Sequence, residues 1–465
     1  MSLRSVLLGR MSAEARVSTG FSVLLAALPA LALLAYKATV AGQLHLTTRL
    51  YFAALALLVA AVVGIALLAT AFLQASGDRR RRFWVPLIAT AVVALAGLLL
   101  AEVGLRLAAR PDPRGTQLGA RTLVPYDWSA VADTNRARLT RFRESATSYF
   151  VEDSVLGWSV GANRQSADGM YRSSDDGVRT AHRAESLRAQ PVTQRVALFG
   201  DSFTFSMEVP FENSWAHYLA SALPAGTQVL NFGVDGYGVD QAYLRFKRDA
   251  PKWAPRVAVL SLIQDDLYRV VSVYPFLRGW EYSFTRPRFV LEHGQLRQAN
   301  LPLMTPDSLF AKRSIFDLPL LDHDVFFNPD AWRWHTPYMS YLARFAVTAF
   351  PRWPMPNAAT DDAAALQISA RLLETFVREA RAMEIEPVVV YLPSRNDFVV
   401  GEPLLKGQLA TLLEREGIPL HDVTDCLTRQ VARSALFLRD HGHYSAAGNA
   451  ALARCVQPLV SLHLK

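Results

Sequence analysis

The sequence predicts two structural regions: three apolar helices that span a membrane near the N-terminus, and then an α/β/α domain built on a parallel sheet. Two observations indicate this fold class. The first 110 residues hold three long uncharged runs. After about residue 194, short apolar segments alternate with helical segments of roughly 10 to 15 residues, which is the pattern of βαβ units. Of the 465 residues, 51% are apolar and 19% are charged, so wholesale disorder is excluded.

The three uncharged runs cover residues 17–36, 51–75 and 83–101. A helix needs roughly 20 residues to cross the hydrocarbon core of a bilayer, so each run is long enough. A cleaved signal peptide would account for only one, shorter run. Buried helices of a globular fold are the alternative, but surface helices of such folds keep a polar face, which these runs lack.

Basic residues set the predicted orientation of these spans. The tail before the first run holds three arginines, and the second connection holds four in a row, Arg79–Arg82. The first connection holds only Lys37 and Arg49. The N-terminus is therefore expected in the cytoplasm and everything after about residue 110 outside it, as in a multi-pass protein of a bacterial-type inner membrane.

The net charge of +8 raises the question of a nucleic-acid partner. Four of the positive charges are the Arg79–Arg82 run, which serves as the topology signal. No basic stripe interleaved with aromatic residues occurs elsewhere. Nucleic acid is therefore not expected as a partner.

Three segments are expected along the chain: the membrane region at 1–108, a linker with a small β-rich segment at 109–193, and the α/β domain at 194–465. Each predicted strand of that domain is a short apolar run, as expected for strands covered on both faces. The predicted strands are 195–199, 228–232, 257–263, 387–391 and 419–423. The predicted helices are 214–223, 237–250, 363–383, 404–416 and 445–463.

The alternation of strands and helices is interrupted by an insertion at about 268–361. It is rich in aromatic residues and proline, and it contains a hairpin around Gly294. Two roles are open for its aromatic side chains: contact with a substrate or a membrane, or internal packing.

Three of the predicted strands end in unusual polar groups. These groups are residues 200–202 (Gly-Asp-Ser), 231–238 (Asn-Phe-Gly-Val-Asp-Gly-Tyr-Gly) and 264–266 (Gln-Asp-Asp). Doubly wound sheets bind ligands at the carboxyl ends of their strands. A fourth group, residues 440–443 (Asp-His-Gly-His), precedes the last helix.

Ser202, Asp440 and His443 occur in one of the chain orders known for catalytic triads. A serine hydroxyl needs a base, usually His, and that His needs a partner that fixes its tautomer. Asp440 and His443 are three residues apart, so one turn of backbone would place the carboxylate behind the imidazole, whereas His441 would point elsewhere. The backbone N–H groups of Ser202 and Gly233 are the candidate oxyanion donors, because each lies at a strand end.

These motifs resemble those of the SGNH/GDSL hydrolase family. The resemblance rests on residues 200–202, 231–238 and 440–443 and extends over about residues 150–465. Residues 153–158 (Asp-Ser-Val-Leu-Gly-Trp) are similar to a phrase found in a membrane-tethered branch of that family. The resemblance implies a flavodoxin-like sheet, Ser202 as nucleophile, an oxyanion hole completed by Gly233 and an Asn side chain, and no metal.

Residues 264–266 (Gln-Asp-Asp) depart from the family pattern, which at this place is Gly-Asn-Asp with the Asn side chain donating to the oxyanion. Asp265 takes the Asn place here, and an ionised carboxylate would repel an oxyanion. Losing one such donor costs roughly 100- to 1000-fold in turnover. Three alternatives are open: Asp265 is held protonated and donates, Gln264 or another group substitutes, or activity is weak.

The sequence allows at most one candidate metal site and one disulfide. Asp440, His441 and His443 could ligate a metal, but no fourth ligand is evident, so neither a metal nor a cofactor is expected. The two cysteines, Cys426 and Cys455, form either one bridge or two free core thiols.

The sequence therefore predicts a membrane-anchored, extracytoplasmic serine esterase or acyltransferase that works through an acyl-serine. The expected substrate, from the family resemblance, is an O-acyl group, such as O-acetyl, on envelope or exopolysaccharide carbohydrate. A lipid or lysophospholipid esterase is one alternative, suggested by the membrane region and the aromatic insertion. A catalytically weak binding or assembly protein is the other, suggested by Asp265.

Overall fold

A computed structural model of the chain describes residues 97–145, 148–278, 282–349, 358–399, 405–439 and 442–464, together with residues 12, 15–24, 60, 62–65, 67, 68, 91 and 95. The chain divides into two compact units. The first comprises residues 1–131 and 328–354, and the second comprises residues 132–327 and 355–465. The three-segment division drawn from the sequence stays a prediction.

The strands are β1 (Arg110–Asp112), β2 (Gly115–Leu118), β3 (Arg121–Leu123), β4 (Phe150–Asp153), β5 (Gly157–Val160), β6 (Arg172–Ser173), β7 (Arg179–Thr180), β8 (Gln194–Phe199), β9 (Thr227–Asn231), β10 (Val257–Leu262), β11 (Phe289–Glu292), β12 (Gln295–Gln298), β13 (Glu386–Tyr391) and β14 (Leu420–Asp422). The α-helices are α1 (Trp128–Glu144), α2 (Ser202–Phe205), α3 (Trp215–Ala222), α4 (Val239–Trp253), α5 (Gln264–Arg269), α6 (Pro306–Phe310), α7 (Tyr341–Ala349), α8 (Ala358–Ala382), α9 (Lys406–Arg415), α10 (Thr424–Gln430), α11 (Arg433–Leu436) and α12 (Ala446–Ser461). Residues 15–24 and 97–108 are also helical.

A seven-stranded sheet in the order β14-β13-β10-β8-β9-β7-β6 forms the centre of the second unit. Its first five strands are parallel. The two short strands β7 and β6 extend the β9 edge in antiparallel pairing. The five parallel strands lie at the five predicted positions, so the prediction of a parallel α/β domain is confirmed.

Side chains of the central strands enter two separate cores, one on either face of the sheet. In β8, Val196 and Leu198 join the core formed with α3 and α12. Ala197 and Phe199, which alternate with them, join the core formed with α4, α8 and α9. A strand covered by helices on both faces is apolar throughout, which explains the continuous apolar runs. The α/β/α layering is thus confirmed.

The 17-residue helix α1 lies where the sequence predicts only a linker and a small β-rich segment. Its buried residues recur at helical spacing: Trp128, Val131, Ala132, Asn135 and Leu139. The polar Asn135 interrupts this stripe, and the other positions carry many charged side chains. The helical period is therefore weak in the hydropathy of the sequence, although the buried positions of the helix recur regularly in the structure.

The insertion predicted at about 268–361 contains the expected hairpin, formed by β11 and β12 on either side of Gly294. Asp324 folds the chain of this region back on itself. Its carboxylate accepts the N–H groups of Val273 at 2.7 Å and Tyr274 at 2.8 Å. Residues 328–354 of the insertion belong to the first unit.

The first unit contains the antiparallel sheet β1-β2-β3 and helix α7. The carboxylate of Glu102 caps α7, because it accepts the N–H groups of Tyr341 at 2.9 Å and Leu342 at 2.8 Å. Burial acts to raise the pKa of Glu102, but these hydrogen bonds, with two from side chains, bring it down to about 2. Arg344 links α7 to the residue after β3, because its Nε donates a hydrogen bond to the carbonyl of Val124 at 2.8 Å.

The predicted three-helix transmembrane region, and with it the multi-pass inner-membrane location, is corrected by the structure. Within the ranges that the structure describes, no helix is both long enough and apolar enough to cross a bilayer. A span needs roughly 20 predominantly apolar residues. The 25-residue helix α8 has the length but carries charged side chains such as Asp362, Arg371 and Glu374. Most residues of the three apolar runs lie outside the described residues.

Cys426 and Cys455 form a disulfide, with their Cα atoms 5.9 Å apart. The bond joins α10 to α12, the last helix of the chain. Of the two alternatives that the sequence leaves open, a bridge or two free thiols, the structure has the bridge.

We expect replacement of both cysteines, Cys426→Ser with Cys455→Ser, to lower the free energy of unfolding by about 3 kcal/mol. The disulfide joins two residues that are 29 apart in sequence and so restricts the unfolded chain. Without it the unfolded chain gains conformational entropy, which lowers the stability by roughly 2–4 kcal/mol for loops of this size. Urea unfolding of both proteins, with and without a reducing agent, measures this. Reduction should shift the wild-type midpoint and leave that of the variant in place; a variant as stable as the oxidised wild type would contradict the expectation.

Candidate active site

Ser202 lies where the central strand β8 turns into the short helix α2. Because β8 is flanked by β9 and β10, the segments that follow these three strands meet at one edge of the sheet. Gly200 makes the turn, since a Cβ there would collide with Thr204 Oγ1 and the carbonyl of Ser261. Asp201 caps α2 by accepting two of its backbone N–H groups, as expected for an aspartate at this position.

His443 places its Nε2 atom 2.9 Å from Oγ of Ser202. The histidine belongs to the loop before α12, which is closed by a β-bridge between Phe437 and Tyr444. Its ring also lies 5.1 Å from that of Phe203, which directly follows the serine. The structure thus brings together two predicted site residues that are 241 positions apart in sequence.

The other imidazole nitrogen, Nδ1 of His443, lies 3.0 Å from Oε2 of Glu208. Glu208 is not among the residues that the sequence motifs indicate. Its only signal in the sequence is an acidic side chain six residues after the serine, and no spacing rule selects it. Asp440 and His441 lie outside the described residues, so the predicted triad role of Asp440 stays a prediction.

The two predicted backbone donors of the oxyanion hole differ in their present partners. Ser202 is the first residue of α2, so its N–H group has no acceptor within the helix. The N–H of Gly233 donates to Oδ1 of Asn231 at 2.9 Å. A Cβ at position 233 would collide with the N atom of Phe205 and lie 2.7 Å from the carbonyl carbon of Thr204. Gly233 is therefore required by close packing against α2, and not only by access to a substrate oxygen.

Asp265, which takes the place of the family's Asn, lies in the first turn of α5. Its side chain is 44% exposed and lies 3.8 Å from Arg269 and 3.8 Å from Arg278. The alternative in which Asp265 is held protonated and donates to the oxyanion stays a prediction. A place for Asp265 in the oxyanion hole stays a prediction.

The neighbours of Asp265 hold the local structure together. Oε1 of the buried Gln264 accepts the N–H of Leu405 at 2.8 Å. Oδ2 of the buried Asp266 accepts the N–H of Ile263 at 3.0 Å and so closes the first turn of α5.

Three buried residues with ionisable side chains form a cluster next to Ser202: Asp201, Asp266 and Arg269. Nη1 of Arg269 is 3.6 Å from Oδ2 of Asp201 and hydrogen-bonds to Asp266. Burial raises the pKa of Asp201. Burial, together with the negative charge of Asp201, raises the pKa of Asp266 well above its usual range. The guanidinium joins the caps of α2 and α5 and so fixes two strand ends relative to each other.

A cavity of about 860 Å³ opens in the second unit close to this charged cluster. Arg269 connects the two, because it lines the cavity and also contacts Asp201. The ring of Tyr282, another lining residue, stacks on Trp158 with ring centroids 4.6 Å apart. Arg138, Arg141, Phe142, Asp235 and Phe284 are also part of the wall.

Metal ligation is the alternative reading of residues 440–443. In the part of the chain that the structure describes, no group of three or more His, Cys, Asp or Glu side chains is placed to hold a metal ion. Two of the three side chains considered for such a site, Asp440 and His441, lie outside that part.

No family model matches the chain, and no curated protein matches it. The chain is similar to a solved lipolytic protein of the G-D-S-L family from Desulfitobacterium hafniense DCB-2, at 15% identity and a TM-score of 0.29, covering 58% of this chain and 100% of that one. It is also similar to the lipase/acylhydrolase from Enterococcus faecalis, at 13% identity and a TM-score of 0.32, with 59% and 98% covered. A third is an acetylxylan esterase from Geobacillus stearothermophilus, at 13% identity and 0.32, with 58% and 94% covered.

Gly233→Ala should lower the free energy of unfolding by about 1–3 kcal/mol, because the added methyl group overpacks against α2. Gly407→Ala is the matched control, since a Cβ there meets nothing within 4 Å, and alanine is favoured over glycine in a helix by up to roughly 1 kcal/mol. Urea unfolding of both variants gives the comparison. Equal stability of the two variants would show that Gly233 is not constrained by packing.

Proposed function

We propose that the chain is a serine esterase or acyltransferase that works through an acyl-serine on Ser202. The observation that carries the proposal is the 2.9 Å hydrogen bond between Ser202 Oγ and His443 Nε2. A carboxylate lies at the other imidazole nitrogen. A hydroxyl bonded to a base that is itself held by a third group is the arrangement of an activated nucleophile.

The proposed reaction has two halves. Ser202 Oγ bonds to the carbonyl carbon of an ester while its proton moves to Nε2 of His443. The tetrahedral intermediate collapses when the bond to the alcohol oxygen breaks, and the leaving alcohol takes the proton from His443. Water then attacks the acyl-serine with the same proton transfers and releases the acid, or a second alcohol takes the place of water and receives the acyl group.

The negative oxygen of each tetrahedral intermediate needs donors. The N–H of Ser202 supplies one, whereas that of Gly233 is shared with Asn231 in the present structure. Each missing donor costs roughly 100- to 1000-fold in turnover, and Asp265 offers a carboxylate where the family has an amide. We therefore infer an enzyme of modest turnover on simple esters, in which substrate binding is expected to draw the Gly233 N–H away from Asn231.

The substrate we propose is an acylated carbohydrate with a short acyl group such as acetyl. Neither Ser202 nor His443 lines the cavity, so the cavity supports this choice as a place for the carbohydrate part of the substrate, next to Arg269. Its wall combines guanidinium and hydroxyl groups with aromatic rings. Aromatic faces with convergent polar groups suit a sugar ring and its hydroxyls, whereas a long acyl chain needs a continuous apolar channel. The phenyl rings of Phe142 and Phe284 in the wall keep a lipid ester as the second candidate.

Ser202→Ala should lower turnover roughly 10³-fold or more. His443→Ala should lower it by a comparable factor, because a nucleophile and its base act together. Ser221→Ala is the matched control, since this serine is exposed on α3. Labelling with a serine-reactive fluorophosphonate provides a direct readout. The label should appear in the wild type and in Ser221→Ala and be absent from Ser202→Ala. A wild type that takes no label would favour the binding or assembly protein instead.

Release of acetate from acetylated xylo-oligosaccharides should exceed release of fatty acid from lysophosphatidylcholine, because guanidinium and hydroxyl groups accompany the aromatic rings in the cavity wall. The two products are measured at equal substrate concentration, and Ser202→Ala sets the background. Fatty acid as the faster product would select the lipid esterase.

A further inference from the structure

A carboxylate that no sequence motif indicates, that of Glu208, lies behind the imidazole of His443. Its Oε2 atom is 3.0 Å from Nδ1, while Nε2 on the far side of the ring is 2.9 Å from Ser202 Oγ. We propose that Glu208 is the positioning residue that orients His443, a role that the motif assigns to Asp440. The inference rests on the proposed function of Ser202 and His443.

The contact decides which tautomer of His443 faces the serine. An ionised carboxylate only accepts hydrogen bonds, and a neutral imidazole has one N–H group. With Glu208 at Nδ1, that N–H group is on Nδ1, and Nε2 presents its lone pair to the Ser202 hydroxyl. This is the form of the ring that takes the serine proton.

The same contact stabilises the ring after proton transfer. When Nε2 gains the proton from Ser202, the imidazole becomes positively charged, and the carboxylate of Glu208 attracts it. In a triad of this kind the orienting carboxylate takes no proton itself. The two side chains are only 25% and 22% exposed, so water screens their attraction less than it screens that of a surface pair.

The backbone that presents Glu208 is held in an unfavourable conformation. Ser206 and Glu208 have φ angles of 61° and 68°. This left-handed region is unfavourable for a residue other than glycine and persists only where the surroundings enforce it. Glycine at position 208 would relieve the cost, but it would remove the carboxylate.

Two side chains from the β6–β7 region enforce this turn. The N–H of Glu208 donates to Oη of Tyr171 at 2.9 Å. The buried guanidinium of Arg179 donates to three carbonyls in the turn, those of Phe205, Ser206 and Val209. The turn is therefore built to a fixed shape, and that shape places the carboxylate at Nδ1.

Kinetics of three variants test the role. Glu208→Gln keeps the size and loses the charge, Glu208→Asp keeps a carboxylate on a shorter arm, and Glu212→Gln is the matched control, an exposed acid four residues further on. On 4-nitrophenyl acetate we expect kcat of Glu208→Gln to fall roughly 10²- to 10⁴-fold, as when an orienting carboxylate becomes an amide. KM should change by less than about threefold, because Glu208 acts through His443.

Glu208→Asp should keep a larger share of kcat than Glu208→Gln, and Glu212→Gln should match the wild type. This rescue by the shorter acid distinguishes a positioning carboxylate from a merely structural side chain. For a structural side chain, kcat should fall more in Glu208→Asp, which shortens it, than in Glu208→Gln, which keeps its size. Equal kcat for Glu208→Gln and the wild type would overturn the proposal, as would a larger loss in Glu208→Asp than in Glu208→Gln.

A spectroscopic measurement tests the contact without turnover. In protein labelled with ¹⁵N-histidine, an imidazole N–H bonded to a carboxylate gives a proton resonance far downfield. We expect this resonance in the wild type and in Asp440→Asn, and its loss in Glu208→Gln and His443→Ala. Its retention in Glu208→Gln would overturn the proposal. A protein with the resonance but no esterase activity would contradict the proposed function and leave the Glu208 contact standing.

Discussion

The buried guanidinium of Arg179 is the interaction on which the geometry of the candidate site depends. Arg179 is 1% exposed, and burial lowers its pKa to about 10, so the group stays charged at neutral pH. Three carbonyls of the turn at 205–209 and the rings of Tyr171 and Phe205, with centroids 5.0 Å and 4.3 Å away, offset the cost of desolvation. Removal of this side chain would take away its hydrogen bonds to three buried carbonyls, so a residue at the antiparallel edge of the sheet stabilises the turn that carries Glu208.

The parallel sheet could be predicted from the sequence, because strands buried on both faces leave continuous apolar runs. Ser202 and His443 could be predicted as well, since both lie in short motifs at the ends of such elements. Glu208 could not, because its position depends on left-handed backbone at two residues other than glycine, which no local pattern specifies. Arg179, which holds that turn, lies in a two-residue strand that is too short to show a period.

Residues 231–238 and 264–266 have structural roles that family resemblance does not reveal. Gly233 lacks a side chain because the chain after β9 passes against α2, and its N–H is already bonded to Asn231. Asp266 closes a helical turn, whereas Asp265 stands half-exposed beside two arginines. A motif match therefore identifies positions on one edge of the sheet, but the donors available to an oxyanion follow from the hydrogen bonds that each position already makes.

Negative charges around His443 have opposite effects on the two charged groups of the proposed reaction, the imidazolium of His443 and the oxyanion of the substrate. In the proposed reaction the imidazole becomes positive in each half, and the carboxylate of Glu208, 3.0 Å from Nδ1, favours that form. Burial raises the pKa of Asp201, and the charges of Arg269 and His443 act in the opposite direction. The same negative charges disfavour the oxyanion that forms on the substrate at the same moment. Arg269 moderates this conflict, because its guanidinium lies 3.6 Å from Asp201 and hydrogen-bonds to Asp266, which places a buried positive charge close to the serine. Glu208 acts from the far side of the ring, where its charge is nearer to the imidazole than to an oxygen bound at Ser202. The arrangement thus separates the carboxylate that supports the base from the place where the substrate becomes negative.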